Sequence, residues 1–357
     1  MRLPLSQPPA SLCLIRLSAI GDISHTLPVV RTIQTAWPHT QLTWLIGKTE
    51  HALVADIPGI EFIVFDKDKG WRSYLKIKQE LGGRRFDILL HMQMSLRASL
   101  LSLLVRAPIK LGFDRTRAKD MQWLFCNHHI ALREREHVLD SLFGFSDALG
   151  IAGHQLRWNI PIPQEAETFA DTHLPKEDFI AISPCSSMAY RNWHSQGYAE
   201  VAIHAAKAHG LKVVLCGGNS ALERQYGAEI HARMDAAGLA PALTNLISRT
   251  SLKQLLAVLA RAKLLISPDS GPGHLATAVG IPVLGLYAST NPARARPYLS
   301  EGLTINRYPE ALNRFTNQTV DTAPWGTRVK DPAAMRLITS QDVCKKLDNW
   351  LVGSISP

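Results

Sequence analysis

Residues 267–274 (SPDSGPGH) combine side chains and backbone that suit a sugar phosphate. Residues 263–266 (KLLI), three of them apolar, predict a buried strand before this segment, and residues 275–279 predict a short helix after it. A loop between strand and helix presents backbone N–H groups and the positive end of the helix dipole, which attract phosphate. Asp269 can accept hydrogen bonds from sugar hydroxyls, and His274 can donate to an anion. The loop therefore predicts a nucleotide-sugar site, and a structural turn in which Asp or Ser caps the helix is the competing interpretation.

A second loop, residues 16–22 (RLSAIGD), follows the first predicted strand. Gly21 permits a sharp turn, and Asp22 then lies at the start of a helix that begins at about Ile23. A carboxylate there is a candidate general base, because it can take a proton from an attacking hydroxyl. His25 lies on the same helical face and predicts a competing Asp–His pair, and an N-cap role for Asp22 is the structural alternative. The loop lacks the GxGxxG pattern, which argues against a dinucleotide-dependent oxidoreductase.

Two loops of the second half add hydrogen-bond donors and acceptors. In residues 184–193 (PCSSMAYRNW), Ser186 and Ser187 offer hydroxyls, and Arg191 can bind a diphosphate through two parallel hydrogen bonds. Cys185 has no Cys–His arrangement beside it and is interpreted as a small buried residue. Glu223, just after residues 216–220 (CGGNS), either holds ribose hydroxyls or is a solvated helix residue.

Residues 66–68 (DKD) match a short pattern that holds a metal ion in some enzymes. Lys67 and Lys69 would oppose a divalent cation at this place, so no metal site is expected. The chain also lacks a nucleic-acid recognition motif, and no nucleic-acid partner is expected.

Charge and composition indicate a two-domain globular protein with an anionic partner. The chain has 357 residues and a net charge of +9, and 46% of its residues are hydrophobic. Residues 97–119 alone carry six Lys or Arg against one Asp, a net charge of +5, which predicts a binding face or a solvated face. The five cysteines are dispersed and without a CxxC pair, which favours a reducing compartment. With no signal peptide or membrane-spanning run recognised, we expect a soluble cytoplasmic protein.

The elements that position these loops alternate between strands and helices from start to end. This order predicts an α/β fold of two Rossmann-like domains, each a doubly wound parallel sheet, facing each other across a cleft. Ligands bind such sheets at the carboxyl ends of the strands. We expect domains at residues 1–155 and 177–340, a linker at 153–176, and a closing helix with its tail at 341–357. Strands are predicted at 12–17, 42–46, 62–65, 86–91, 110–113, 179–183, 212–216, 263–266 and 283–287, and helices at 28–36, 71–81, 96–105, 137–149, 197–208, 221–236, 252–260 and 340–352.

With these motifs in place, nearly the whole chain resembles the lipopolysaccharide heptosyltransferases of glycosyltransferase family 9, which have the GT-B fold. Residues 18–28 (SAIGDISHTLP) are similar to the start of the type I heptosyltransferases, and residues 267–274 are similar to the donor loop of the family. The resemblance implies inverting transfer of a heptose from ADP-heptose to the Kdo/heptose inner core of lipopolysaccharide. It also implies a monomer that needs no cofactor and works in the cytoplasm, peripherally at the inner face of the inner membrane.

The resemblance also assigns roles to particular residues. Asp22 is the base that activates the acceptor hydroxyl, and Arg191 stands where the family has a Lys on the donor phosphates. The other donor-binding residues are Ser186, Ser187, Glu223, Asp269, Ser270, Gly271 and His274. The acceptor-binding residues are Ser18, Gly21, Lys67, Lys69, Arg72 and Lys119. Two alternatives stay open: a GT-B transferase or epimerase that uses another nucleotide-sugar, and a non-catalytic nucleotide- or lipid-binding module.

Overall fold

Two units with the same architecture follow one another along the chain. The computed structural model describes residues 2–355, and the chain divides into units at residues 1–161 and 162–357. Each unit contains a sheet of six strands, and every strand pair in both sheets is parallel. The predicted α/β class, with two doubly wound parallel sheets, is confirmed.

The first sheet has the strand order β3-β2-β1-β4-β5-β6. Helix α1 contacts α5, while α3 and α4 bury Ile77 and Leu101 in a shared core cluster. The elements of this unit are β1 (Ser11–Ile15), α1 (Ile20–Ala36), β2 (Gln41–Gly47), α2 (Lys48–Val54), β3 (Ile60–Phe65), α3 (Trp71–Leu81), β4 (Ile88–His91), α4 (Leu96–Ser102), β5 (Ile109–Gly112), β6 (His128–His129) and α5 (Val138–Leu149).

The second sheet repeats this plan with the order β12-β11-β10-β7-β8-β9. Its core joins Ile180 of β7, Val213 of β8 and Ile266 of β10 with helix residues such as Leu347. The elements are α6 (Gln164–His173), β7 (Phe179–Ile182), α7 (Ser195–His209), β8 (Lys212–Leu215), α8 (Ala221–Ala236), β9 (Leu243–Asn245), α9 (Leu252–Ala260), β10 (Leu265–Pro268), α10 (Gly271–Ala278), β11 (Val283–Tyr287), α11 (Pro292–Ala295), β12 (Ile305–Asn306), α12 (Tyr308–Thr316) and α13 (Ser340–Ile355).

Strands near the centre of each sheet are almost completely buried, as in a sheet with helices on both faces. All four residues of β4 and all four of β7 are buried, and their sequences are almost continuous apolar runs. Helix ends follow from local chemistry: α3 stops at Gly82, whose φ of 55° lies in the left-handed region that favours glycine.

Two helix starts differ from the prediction, and both differences affect candidate site residues. Helix α1 begins at Ile20 rather than near Ile23, so Gly21 and Asp22 lie in its first turn and Gly21 makes no sharp turn. Helix α10 begins at Gly271, so Gly271 and His274 lie on the helix instead of in the loop before it. Both helices start earlier because residues with low helix propensity are tolerated in a first turn, where backbone N–H groups need no intrahelical acceptor.

The predicted linker is wrong for residues 164–173, which form helix α6. Ala166 and Ala170 of this helix are buried against Ala257 of α9, so packing on small residues stabilises a segment with weak apolar periodicity. The units divide between Pro161 and Ile162. None of the helices in residues 2–355 combines the length and hydropathy that a bilayer-spanning segment needs.

Candidate functional site

Each sheet has a place where neighbouring strands send their connections in opposite directions. In the first sheet this place lies between β1 and β4, and in the second sheet it lies between β7 and β10. Loops that leave the carboxyl ends of such strands diverge and form a crevice, which is where open α/β sheets bind ligands. The predicted site residues Asp22, Arg191 and Asp269 follow β1, β7 and β10 respectively.

The carboxylate of Asp22 is held at the start of α1 by two groups. Arg16 Nη2 lies 2.7 Å from Asp22 Oδ1, and the backbone N–H of Ala19 donates to Asp22 Oδ2 at 3.1 Å. The predicted N-cap role is wrong, because Ala19 is the N-cap and Asp22 reaches back to it from the third helical position. The Asp22 side chain is 41% exposed, so it remains open to a ligand after these contacts.

Arg16 orients this carboxylate from within the protein. Its side chain is 9% exposed, and its Nη1 donates to the carbonyl oxygen of Met92, the residue after β4. A guanidinium fixed on one side by a backbone carbonyl restricts the position of the carboxylate on its other side.

Gln93 also fixes the loop after β1 by hydrogen bonds, and the sequence alone did not single it out. Its Oε1 accepts from the backbone N–H groups of Leu17 at 2.5 Å and Ser18 at 3.2 Å. Its Nε2 donates to Ser18 Oγ at 3.2 Å, so the hydroxyl of the predicted acceptor residue is engaged inside the unit. The signal was the position of Gln93 just after β4, since β4 lies beside β1 in a doubly wound sheet.

Glu50 adds a second carboxylate near Asp22 that the sequence analysis also missed. Burial raises the pKa of Glu50, the negative charge of Asp22 raises it further, and the positive charge of Lys67 lowers it. Glu50 lies in the first turn of α2, directly after β2, at the same carboxyl edge of the sheet. A carboxyl group with a raised pKa beside a candidate base is itself a candidate functional residue.

The competing Asp–His pair is less favoured by the geometry. His25 is 4% exposed, and its ring packs edge to face against His137 with centroids 5.6 Å apart. The two carboxylate oxygens of Asp22 contact Arg16 and Ala19 instead.

The four predicted acceptor cations, Lys67, Lys69, Arg72 and Lys119, are exposed. Asp66 of the DKD segment caps the short 3₁₀ helix that follows and contacts Lys48 Nζ at 3.2 Å. Other cations of the predicted basic segment form hydrogen bonds or ion pairs with residues of the same unit. Lys110 Nζ donates to Ser102 O at 2.8 Å, and Arg117 pairs with Glu136 at 3.2 Å. The cations of segment 97–119 therefore do not all lie free on one exposed face.

In the second unit, Arg191 and Asp269 form an ion pair between the loops after β7 and β10. Arg191 Nη1 lies 3.2 Å from Asp269 Oδ2 and 3.4 Å from the carbonyl oxygen of Asp269. The two side chains are 14% and 10% exposed, and His274 Nε2 lies 4.0 Å from Asp269 Oδ1. The structure thus brings together three of the predicted site residues.

The serines of these loops are partly committed to local structure. Ser186 Oγ donates to Met188 O at 2.9 Å, and Ser270 Oγ lies 2.7 Å from Ser267 Oγ at the start of α10. Ser187 is exposed. Of these three predicted residues, Ser187 has the greatest access to a ligand.

A recess beside the Arg191–Asp269 pair supplies further cations that the sequence analysis missed. Two of its polar atoms, Arg191 Nε and Thr290 Oγ1, are buried and have no hydrogen-bond partner among the described residues. Such atoms are rare unless a ligand or water satisfies them. The recess is lined by Arg191, Asp269, Thr290, Asn291, Arg294, Ala295, Trp325, Gly326, Thr327 and Arg328.

Glu223 holds the turn after β8. Its Oε1 accepts from the backbone of Gly218 at 2.6 Å, and its Oε2 accepts from the backbone and hydroxyl of Ser220 at 3.1 and 2.6 Å. It closes the capping box of α8 with Ser220. A carboxylate with two lone pairs on each oxygen can still accept from a ribose hydroxyl, and that role stays a prediction.

Cys185 is buried, and burial raises the pKa of its thiol to about 12. A thiol that stays protonated is a poor nucleophile, so the interpretation of Cys185 as a small buried residue is confirmed.

Comparisons with known proteins agree with this geometry. Residues 74–320 match the family described as Glycosyltransferase family 9 (heptosyltransferase). The chain is 39% identical over 342 residues to the lipopolysaccharide core heptosyltransferase OpsX of Haemophilus influenzae, covering 95% of this chain and 96% of the relative.

Three solved structures of two Escherichia coli proteins share the fold. ADP-heptose lps heptosyltransferase II has a TM-score of 0.71 and 19% identity, covering 96% of this chain and 99% of the other. Heptosyltransferase WaaC with ADP has a TM-score of 0.69 and 20% identity, covering 96% and 98%. WaaC with ADP-2-deoxy-2-fluoro heptose has a TM-score of 0.69 and 19% identity, covering 95% and 99%. The family match and the identity to OpsX show that the chain is a glycosyltransferase and belongs to family 9, the heptosyltransferases.

Proposed function

We propose that this enzyme transfers a heptose from ADP-heptose to the Kdo/heptose inner core of lipopolysaccharide, with inversion at the anomeric carbon. The observation that carries the proposal is the half-exposed Asp22 carboxylate, held by Arg16 at the carboxyl edge of a parallel sheet. Membership of family 9 supports the reaction class, and the 39% identity to a lipopolysaccharide core heptosyltransferase supports this acceptor.

In the proposed reaction Asp22 is the general base. It takes the proton of the acceptor hydroxyl as the oxygen attacks the anomeric carbon of the heptose. The bond from that carbon to the diphosphate oxygen breaks on the opposite side, and ADP leaves with the electron pair. Arg16 keeps the carboxylate turned towards the acceptor, and no cofactor or metal ion enters the reaction.

The second unit is proposed to bind the donor. Developing charge on the diphosphate is stabilised by Arg191 and the arginines of the recess, because preorganised cations act most strongly in a partly dry site. Asp269 accepts hydrogen bonds from heptose hydroxyls, and Glu223 accepts from the ribose. His274 and the first turn of α10 from Ser270 to Gly271, together with Ser186 and Ser187, complete the proposed donor site.

The first unit is proposed to bind the acceptor. Ser18, just before α1, and Gly21, in the first turn of α1, position the attacking sugar, and exposed cations meet the phosphates and carboxylates of the acceptor. The proposed place of action is the cytoplasmic face of the inner membrane, where the enzyme works as a peripheral monomer. The acceptor-facing cations are Lys67, Lys69, Arg72 and Lys119.

Donor titration and ADP release test this proposal together. ADP-heptose is offered with a panel of truncated lipopolysaccharide cores, and ADP release is followed with and without each acceptor. We expect release that depends on an inner-core acceptor, and calorimetry that shows tight ADP and weak UDP binding. Tight UDP binding would instead favour a transferase or epimerase that uses a UDP-sugar, and ADP binding without release would favour a non-catalytic module.

A further inference from the structure

Large apolar side chains are exposed together on one part of the first unit. The described chain exposes thirteen such side chains, and seven of them fall within residues 71–124. Their exposed fractions run from 43% to 67%. We call these seven residues the apolar patch: Trp71, Leu75, Leu96, Leu100, Leu103, Met121 and Leu124.

The three elements that carry the apolar patch are neighbours. Tyr74 of α3 donates through its hydroxyl to the carbonyl oxygen of Arg97 in α4 at 3.3 Å. The backbone N–H of Leu96 donates to Asp120 Oδ2 at 3.3 Å, and α4 contacts the short 3₁₀ helix Gln122–Phe125. The exposed residues of α3, α4 and this 3₁₀ helix therefore form one surface.

Helix α4 and the residue after it are apolar on two sides. Ala98 and Leu101 are fully buried in the core of the unit. Leu96, Leu100 and Leu103 are spaced by four and three residues, which places them along a single stripe of a helix, and all three are exposed. Packing within the unit accounts for the first side of α4 and leaves the second side open.

The segment that carries the apolar patch has an excess of positive charge nearly equal to the net charge of the whole chain. Residues 67–124 contain 13 Lys or Arg and 5 Asp or Glu, a net charge of +8 out of +9 for the whole chain. Some of these cations are used inside the protein, as described for Lys110 and Arg117. The exposed ones around the patch are Lys67, Lys69, Arg72, Lys76, Arg97, Arg115 and Lys119.

We propose that the apolar patch and its exposed cations dock this enzyme on the surface of an anionic phospholipid bilayer. Apolar side chains that enter the boundary between headgroups and acyl chains, with Lys and Arg on the phosphates, are the usual means of interfacial binding. Trp71 is of the residue type enriched at that depth. The excess of one charge sign around the patch is complementary to an anionic bilayer. This inference deepens the membrane association in the proposed function, but lipid binding is measurable without any substrate.

Much of the apolar patch lies at the same edge of the first sheet as the proposed base. Helices α3 and α4 begin just after β3 and β4, and the 3₁₀ helix follows β5, so much of the patch lies at the carboxyl edge of the sheet. The Asp22 loop lies at the same edge, after β1. A bilayer held there brings its headgroup region close to the proposed base.

Vesicle co-sedimentation of the whole chain tests the proposal. The test variant replaces Leu96, Leu100 and Leu103 by Ser, and the matched control replaces three exposed leucines outside the patch, Leu132, Leu156 and Leu299. Vesicles with phosphatidylglycerol are compared with vesicles of phosphatidylcholine alone. The parent and the control should bind the anionic vesicles, and the test variant should bind roughly 100-fold more weakly because three apolar side chains no longer leave water.

A charge variant measures the electrostatic contribution to vesicle binding. Lys76→Gln, Arg97→Gln and Arg115→Gln together avoid the proposed acceptor cations, and they should weaken binding at low salt more than at high salt. ADP affinity checks that every variant is folded. Equal binding of the parent to neutral and anionic vesicles, or undiminished binding of the triple leucine variant, would overturn the proposal. So would a parent that forms dimers which the triple leucine variant lacks, because the patch would then be a subunit interface. Lipid binding without heptose transfer would refute the proposed function alone.

Discussion

Replacing Asp22 by Asn removes the proposed base and keeps the shape of the side chain. The amide oxygen still accepts from Ala19 N–H, which donates at 3.1 Å in the parent, but an amide does not take a proton from the acceptor. General-base catalysis contributes about 10²–10⁴-fold, so kcat should fall by this factor, which corresponds to roughly 3–5 kcal/mol of transition-state stabilisation.

The change should have little effect on folding. The Asp22 side chain is 41% exposed, so solvent screens its ion pair with Arg16, and losing that pair costs up to about 1 kcal/mol. Arg16 keeps its hydrogen bond to the carbonyl oxygen of Met92. ADP affinity should be unchanged, because the proposed diphosphate ligands belong to the other unit.

Single-turnover ADP release, with ADP affinity measured by calorimetry, separates these effects. Asp56→Asn, which changes an exposed Asp of the same unit, is the matched control and should leave turnover unchanged. Near-normal turnover of Asp22→Asn would show that Asp22 is not the base and would move this role to Glu50 or His25, which Glu50→Gln and His25→Gln would then distinguish.

Three further predictions concern the donor, the acceptor and pH. Arg191→Ala should weaken ADP binding by roughly 1.5–3 kcal/mol in calorimetry, and Arg191→Lys should recover much of it; unchanged affinity in the Ala variant would show that backbone N–H groups hold the anion. Burial lowers the pKa of His91 from 6.5 to about 4, so the unfolded state binds a proton on this side chain more readily than the folded state does. The free energy of unfolding should therefore keep its full value above pH 6.5 and fall by up to about 3 kcal/mol as the pH drops towards 4. Urea unfolding of His91→Asn should show a smaller decrease of the free energy of unfolding with falling pH. An equal decrease in the variant would show that other groups cause it. Replacing four exposed cations together by Gln should raise the acceptor KM and leave ADP affinity unchanged; these are Lys67, Lys69, Arg72 and Lys119. Lost ADP binding with an unchanged acceptor KM would reverse the proposed roles of the two units.

The long elements were predictable from local pattern. Helices α3, α8 and α9 were predicted with the bounds that the structure has, because clear end signals flank them: Ser220 and Ser251 cap the starts of α8 and α9, and Gly82 ends α3. Strands β6, β9 and β12 have only two or three residues and were missed, since so short a run carries no periodicity. Helix α6 was missed because its few small apolar residues become informative only once α9 lies against them.

The candidate site was predictable where one loop carries it and less so where distant loops meet. Asp22 and Asp269 stand out within their own motifs. Gln93 and Thr290 do not, because their importance comes from strand order and from a recess formed by segments far apart in sequence. Arg117 belongs to the predicted basic segment, but it pairs with Asp114, three residues before it, and with Glu136, nineteen residues after it. Only the first of these two pairs could be inferred from local sequence spacing.

Product analysis after incubation with ADP-heptose shows directly whether this enzyme transfers a heptose with inversion. The acceptor is a truncated lipopolysaccharide inner core, its mass is measured before and after reaction, and the new linkage is examined by NMR. We expect the added mass of one heptose residue and an anomeric configuration opposite to that of the donor. An unchanged acceptor mass, or a linkage that retains the configuration of the donor, would contradict this expectation.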